Sequence, residues 1–512
     1  MTLFRIGKVT TVVAVAAISA GSAAAAERDD TAITIYSSAQ PGAIPPEFYR
    51  PIPGQGLPPP TSVPGYAMVR QDRALKLDAG RSSVRFTDVA ALIDPTTVTF
   101  TSLSDRETRV LEQNFQFDLV STDKLLLKYL DRPITVDRAI GNQSSSVSGT
   151  LLSSIDGLVL RGNDGTIHAL RDWSGVRFSD LPGGLITKPT LVWDILAPKG
   201  GEQRTRVAYQ TGGITWWTDY NLIFHEGKDA GSGLLDVSAW VSIINQSGAT
   251  YQDARLKLIA GDVHRAQPPP QPLAMQRRAM EMAVAADSVA GFAEKEFFEF
   301  HLYTLGRRTT LPNNSTKQIE LFDRAKQVPA KRTLVYYGLQ LGPFFAPDPI
   351  VDRNYGVQSN KKVDVYLEFR NDKQYGLGVP LPSGRIRVSK LDEADGSLEF
   401  IGEDAIDHTP KDETVRVKLG SAFDVVGERR QIDYAVDTRG RWLEEEIEVK
   451  LRNHKNEPVE VLVKENLYRW VNWKIVSKTH ELVKEDARTI YFPVRVAKDG
   501  EAVVRYRVRY SW

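Results

Sequence analysis

Cysteine is absent from all 512 residues. With it go disulfides, thiolate zinc sites, iron–sulfur clusters and thiol catalysis. Histidine is scarce and scattered, with seven residues at 168, 225, 264, 301, 408, 454 and 480. No H-E-x-x-H forms, because His225–Glu226 and His480–Glu481 each lack the second histidine. The G-x-S-x-G, Walker and G-x-G-x-x-G signatures are missing too, so hydrolase, nucleotidase and dinucleotide chemistry lose their specific signals. Neither sign of charge dominates, with 65 Lys+Arg against 64 Asp+Glu, and no global field would recruit nucleic acid or anionic lipid. Past the N-terminal segment no run approaches 18 uncharged apolar residues, so no transmembrane helix is expected.

What is present reads as a soluble, multidomain, mostly β protein. The length predicts about three domains, and 42% hydrophobic with 25% charged residues is ordinary for a globular chain. Arg5 and Lys8 precede an uncharged stretch, Val9 to Ile18, and small residues Ala20 to Ala26 with an A-x-A site at Ala24–Ala26. That pattern predicts a signal peptide over 1–26 and an exported mature chain, periplasmic or extracellular. An exported chain without cysteine must draw stability from cores, which suits large β-sheets.

Nine prolines crowd residues 41–64. They predict an extended, polyproline-like loop with neither helix nor inner strand, inserted between paired strands Thr31–Tyr36 and Tyr66–Leu77 in an N-terminal β region, 27–130. Residues 122–130 suggest one short helix capped by Thr122. Five short strands then fall within 131–182, with turns at Asp156–Gly157 and Asn163–Asp164–Gly165, and predict a small closed barrel of the SH3 or Sm type. Pro268–Pro272 and a thin apolar pattern over Met275–Ala290 mark an insertion at 266–295 within a sandwich region, 183–360. From about 361 to 512, strand follows strand through short turns, an immunoglobulin-like β-sandwich. Three stretches echo one another: VSAWVSIIN at 237–245, VDVYLEFRN at 363–371 and EEIEVKLRN at 445–453. Each alternates and ends in Asn before a polar turn.

The stretch from Val207 to Val263, with VAYQTGGITWWTDYNLIF and LLDVSAWVSIINQSGATYQDARLKLIAGDV, resembles the bacterial domain of unknown function 4139. EFFEFHLYTL at 296–305, TKQIELF at 316–322, LPSGRIRV and FIGEDAIDHTPKDETVRVKLG within 381–420, and the closing RYRVRYSW match in order. The resemblance covers about 205–512, and relatives include mucoidy-inhibitor-like proteins, whose coiled-coil N-terminal region has no counterpart here. It implies no reaction and no catalytic residues.

Few residues are candidates for chemistry. Trp216, Trp217 and Tyr220 are the densest aromatic group, suited to stacking on sugar faces, although alternation sends the two tryptophans to opposite sides of a strand. Glu299 and His301 share a strand face but supply at most two metal ligands. Glu403, Asp404, Asp407 and His408 crowd one run that calcium could use, without EF-hand spacing. At the C-terminus Val504, Tyr506, Val508, Tyr510 and Trp512 alternate with Arg505, Arg507 and Arg509. An outer-membrane barrel would end this way, as would the last strand of a soluble sandwich. The expectation is an exported, non-enzymatic envelope or interaction protein, its partner an envelope protein or a polysaccharide. A carbohydrate-handling protein and an outer-membrane-barrel-associated protein are the alternatives. The binding candidates are Trp216, Trp217 and Tyr220; no catalytic residue, metal or cofactor is assigned, and no nucleic acid is expected.

Overall fold

A computed structural model describes residues 29–36, 44–50, 58–140, 143–227, 231–261, 292–297, 300–339, 347–357, 359–392 and 394–512. The fold is mainly β, with twenty-nine strands and two short α-helices among the described residues. The expected signal peptide, 1–26, lies outside them, as does most of the insertion at 266–295.

The first unit begins with β1 (Asp30–Tyr36). After helix α1 (Pro46–Tyr49) comes β2 (Tyr66–Leu77), antiparallel to β1 from Asp30↔Asp72 to Tyr36↔Tyr66, as the two sequence runs suggest. A two-residue turn leads to β3 (Gly80–Thr87), then β4 (Ile93–Ser102) and β5 (Arg109–Gln116). Helix α2 (Thr122–Lys128) opens an inserted module of β6 (Pro133–Ile140), β7 (Gln143–Ser153), β8 (Leu158–Gly162), β9 (Ile167–Leu170) and β10 (Gly175–Arg177). The unit closes with β11 (Thr190–Ala197), paired to β3 and β5, and β12 (Gly201–Thr211), paired to β2 and β4.

Its plan can be written as five strands, a to e: β1, β2, β3, β11 and β12. Strand a pairs with b, b with e, and c with d, all antiparallel. The same plan recurs three times. The second unit has β13 (Ile214–Glu226), β14 (Ser232–Asn245) and β15 (Tyr251–Ala260) as a, b and c. After β16 (Phe292–Phe297), it takes β17 (Phe300–Leu305) as d, then β18 (Thr309–Leu311), and the front half of β19 (Ser315–Tyr337) as e. The third uses the back half of β19, β20 (Lys362–Arg370), β21 (Gly384–Leu391), β22 (Leu398–Ile406) and the front half of β23 (Thr414–Asp437). In the fourth, the back half of β23 is followed by β24 (Trp442–Asn453) and β25 (Val459–Asn466). Two short strands, β26 (Trp473–Lys478) and β27 (Val483–Lys484), precede β28 (Thr489–Val496) and β29 (Gly500–Ser511), which serve as d and e.

Two rules join the units. Strand e of one unit continues into strand a of the next: β19 and β23 do this without a break, and β12 passes to β13 through Gly212–Gly213. Gly213 sits at φ +71, where a Cβ would meet Leu92 and the Gln246 carbonyl within 3 Å; only glycine turns the chain there without strain. Strand c of each later unit also pairs in parallel with strand a of the unit before it: β15 with β1, β21 with β13 and β25 with β19. These pairings weave the units into an eight-stranded and a thirteen-stranded sheet, leaving β3, β11 and β5 as a separate three-stranded sheet.

The regions delimited from sequence therefore do not each close a core. Beyond the β1–β2 pair, residues 27–130 find their strand partners at 190–211 and 251–260, and 361 falls inside the third unit. One core spans the first three units, from Ile33 and Val69 to Ile386 and Val417, and a second fills the fourth unit with Val363, Ile447, Val461, Phe492 and Tyr506. Shared strands cross between them: Ile319, Leu321 and Val328 of β19 face the first core, Leu334 and Tyr336 the second.

The inserted module departs from expectation in one respect. Its five strands lie where the turns place them and order as β10-β6-β7-β8-β9, but β9 and β10 do not pair, so no barrel closes. Strands of four and three residues are too short to wrap around. Instead Leu126 of α2 and Tyr129 complete a core with Val136, Leu151 and Leu160. Ser121, not Thr122, caps that helix through the Lys124 N–H.

The proline-rich stretch also folds more than expected. Pro46 opens a helical turn, where its missing N–H costs nothing, and Ile44, Phe48 and Val63 pack against Trp217 and Ile244.

The recurring asparagine has a structural reason. Asn245, Asn371 and Asn453 are all buried at the ends of the b strands or just past them. Asn245 Nδ2 donates to the carbonyls of Ala249, Leu311 and Pro312. Asn371 donates to Val379 and Pro410, and Asn453 to Glu457 and Ala497. Each side-chain oxygen accepts a backbone N–H from the following turn, from Ser247, Gly378 and Lys455. The side chain thus stitches the b–c turn to a second, distant loop. Alanine at Asn371 would orphan these groups, and a loss of about 1–3 kcal/mol is expected. Denaturant unfolding of Asn371→Ala and Asn453→Ala checks it; two neutral results would deny the asparagines this role.

Candidate functional site

The aromatic group is buried, not displayed. Trp216, Trp217 and Tyr220 are 2%, 9% and 1% exposed. Alternation does send Trp216 and Trp217 to opposite faces of β13, but both faces are covered. Trp216 and Tyr220 enter the main core, Trp216 edge-on to Tyr303 and the Tyr220 hydroxyl donating to the Pro382 carbonyl. On the outer face Tyr49 lies 5.6 Å from Trp217 and Phe48 packs beside it. Beneath this cover the Trp217 indole N–H donates to Asp219, on which Arg385 and Arg387 converge at 3.4 and 3.3 Å. A sugar-stacking platform needs an open ring face, and none of the three offers one.

The other candidates disperse. Glu299 lies outside the described residues, and His301 sits on β17 opposite Ala260. Glu403 and Asp404 fall on opposite faces of β22: Glu403 pairs with Arg387 at 2.9 Å, while Asp404 accepts the backbone N–H of Lys418. His408 Nδ1 accepts the Ser383 N–H. Among the described residues no three His, Asp or Glu side chains gather as a metal site requires. In the C-terminal strand Val504, Tyr506, Val508 and Tyr510 are buried, and Arg505, Arg507 and Arg509 pair outside with Glu448, Glu446 and Glu444.

The fourth unit instead buries two ion pairs. Arg429 Nε lies 3.0 Å from Glu465, and Arg469 Nε 2.8 Å from Glu445, with all four side chains at most 2% exposed. Tyr506 donates its hydroxyl to Glu465, and Gln431 an amide N–H to Glu445. Burial drives the phenols of Tyr506 and Tyr510 well above their ordinary range, with the charges of Glu465 and Glu445 adding to it. Both arginines also donate to one loop, Arg429 to the Gly356 carbonyl and Arg469 to those of Ile350, Asp352 and Tyr355. Every polar partner here is a structural one, so the cluster is a clamp.

An open site lies in the first unit. Between β4, an edge of the eight-stranded sheet, and β5, an edge of the three-stranded sheet, the sandwich gapes into a cleft of 660 Å³. Val98, Phe100, Val110 and Leu111 line it, and Arg106 and Arg109 stand among them. Phe100 rests edge-on against buried Trp193, whose indole N–H donates to Gln113; Gln113 in turn reaches the Pro95 carbonyl and ties the two rims. The turn carrying Arg106 is fixed by Asp105, which accepts from the Glu107 N–H and the Thr108 hydroxyl. Neither Arg106 nor Arg109 reaches a carboxylate among the described residues. Four apolar side chains among the polar Thr101, Ser102 and Thr108, with two unneutralised guanidinium groups between two strand edges, suit an extended segment bearing apolar and acidic groups. The sequence hides this cleft because its two rims belong to different sheets.

No family model, curated protein or solved structure matches the chain.

Proposed function

We propose that this chain is an exported, non-enzymatic interaction protein of the cell envelope, its first unit carrying the contact and its later units serving as a scaffold. The observation that supports it most is the β4–β5 cleft, with exposed Leu111 and the arginines Arg106 and Arg109. The two buried ion pairs of the fourth unit hold a loop, Trp217 lies under Phe48 and Tyr49, and Trp216 and Tyr220 are sealed in the main core, which weighs against carbohydrate handling. Export rests on the N-terminal pattern of Arg5, Lys8 and the apolar stretch after them.

A photo-crosslinking side chain at Leu111, in the full chain expressed in cells, tests the proposal. The expected product is a discrete protein adduct that disappears when Arg106 and Arg109 are both changed to Glu. A polysaccharide adduct would replace this function with carbohydrate binding. A protein adduct indifferent to the arginines would remove the cleft from it.

A further inference from the structure

We infer that the free edge of β3 is a docking site for an extended strand of another polypeptide, entering parallel to β3 with apolar residues inward and a carboxylate outward. The template is internal. Strand c pairs in parallel with a preceding a strand in three units: Ala32–Tyr36 along Arg255–Ile259, Thr218–Phe224 along Gly384–Lys390, and Leu334–Tyr337 along Val461–Lys464. In the first unit c is β3, and among the described residues it pairs with β11 alone.

The side chains carry the mark of this difference. Inward residues of the paired c strands are sealed, as with Leu256 and Leu258, Ile386 and Val388, or Val461 and Val463. At the equivalent places in β3, Ser82 and Val84 are only half-buried. Arg73 covers the far end of the strand, its guanidinium 4.4 Å from the Phe86 ring centre and donating to the Thr87 carbonyl. The stretch before it is open. A parallel strand there would complete the cover and supply main-chain hydrogen bonds, as strand addition does elsewhere.

The a strands define the occupant. Their inward residues are Ile33 and Ile35, Tyr220 and Leu222, and Leu334 and Tyr336. Across the β13–β21 pair, Asp219 faces Arg385 in register and ion-pairs with it. In β3, Arg81 and Arg85 point outward as Arg385 and Arg387 do; Arg81 is neutralised by Asp194, whereas among the described residues Arg85 meets only the Gln116 amide oxygen. A carboxylate on the incoming strand would answer Arg85. A second copy of this chain is a poor donor, because its one a strand with no c strand following, the back half of β23, is already covered. There Lys361 accepts the Gly427 N–H, Ser359 accepts the Arg429 N–H, and Tyr434 donates to Val351. The two buried arginines hold that cover in place.

The test uses the full chain and a synthetic peptide of the sequence Thr218–Phe224, followed by fluorescence polarisation and by hydrogen exchange over Gly80–Thr87. Saturable binding that slows exchange of these amides, and not those of β4 or β5, is expected. Arg85→Glu should weaken it about tenfold, and a peptide carrying Lys in place of Asp219 should restore binding to that variant. Several results would overturn the proposal: no binding at about 1 mM, the affinity of a chance contact; protection at β4 or β5 instead; or no response to the charge swap. So would amides of β3 already as protected in the free chain as those of β21, or self-association through β3, which would give the edge to this chain's own residues or to a second copy.

Discussion

Replacing Arg429 with methionine is expected to destabilise the fourth unit by about 3–5 kcal/mol, the usual result of stranding one member of a buried ion pair. Glu465 would keep the Tyr506 hydroxyl and lose the Arg429 cation, while the Gly356 carbonyl would lose its donor. Burial by itself would lower the Arg429 pKa, but the surrounding negative charge of Glu465 outweighs it and keeps the guanidinium firmly protonated. The double variant Arg429→Met, Glu465→Leu separates the two contributions, since a buried pair replaced by apolar side chains of similar volume is often close to neutral. Denaturant unfolding followed through Trp470 and Trp473 should show the single variant severely weakened and the double variant largely recovered. Equal losses in both would mean that the arginine acts through its packing and its loop contacts, with the ion pair incidental.

Much of this cluster was visible in the strand patterns. In β24 the inward positions run Leu443, Glu445, Ile447, Val449, Leu451 and Asn453, and in β25 Val459, Val461, Val463 and Glu465. A carboxylate in the apolar phase of an alternating strand must either be paired or pay heavily for burial. Two such carboxylates, with Arg429 following Val425 and Gly427 in the same phase, amount to a signal that composition counts and motif searches pass over. The asparagine echo worked the same way. It located the b strands of three units, but it missed the first, where β2 turns directly into β3 and needs no asparagine to stitch a longer loop.

Other features were beyond any local pattern. The first unit has its c and d strands separated by residues 88–189, because β4, β5 and a whole module intervene. A fivefold strand plan interrupted at that scale leaves no constant period to detect. The cover over Trp217 comes from Tyr49 and Phe48, far upstream in the chain, so the alternation of β13 could only report that one tryptophan faced away from the core. It could not report what lay on that side. Prolines misled for a related reason: their dihedral restriction forbids a long helix but favours the first turn of a short one, and a single turn was enough to seat Phe48.

The other large expected effect falls on the same carboxylate, reached from the last strand. Tyr506 is buried, its ring centre 5.4 Å from that of Phe492, and its hydroxyl donates to Glu465. Truncating a buried aromatic costs about 3–5 kcal/mol, and Tyr506→Ala should reach that range in the full chain. Tyr506→Phe keeps the packing and removes only a hydrogen bond to a charged group, so about 1.5–3 kcal/mol is expected. Arg507, one residue on, faces outward between Glu446 and Asp433. Solvent screens both ion pairs, and Arg507→Ala should lie within about 1 kcal/mol of the parent. Damage that falls from Tyr506→Ala through Tyr506→Phe to Arg507→Ala follows from a strand with one face in a dry core and one in water. A lipid-facing strand of an outer-membrane barrel would place the Tyr and Val row against hydrocarbon, where the phenol has no buried carboxylate to hold and its loss matters little. Equally mild effects of Tyr506→Ala and Arg507→Ala, in a chain recovered only with detergent, would overturn the sandwich arrangement of the fourth unit.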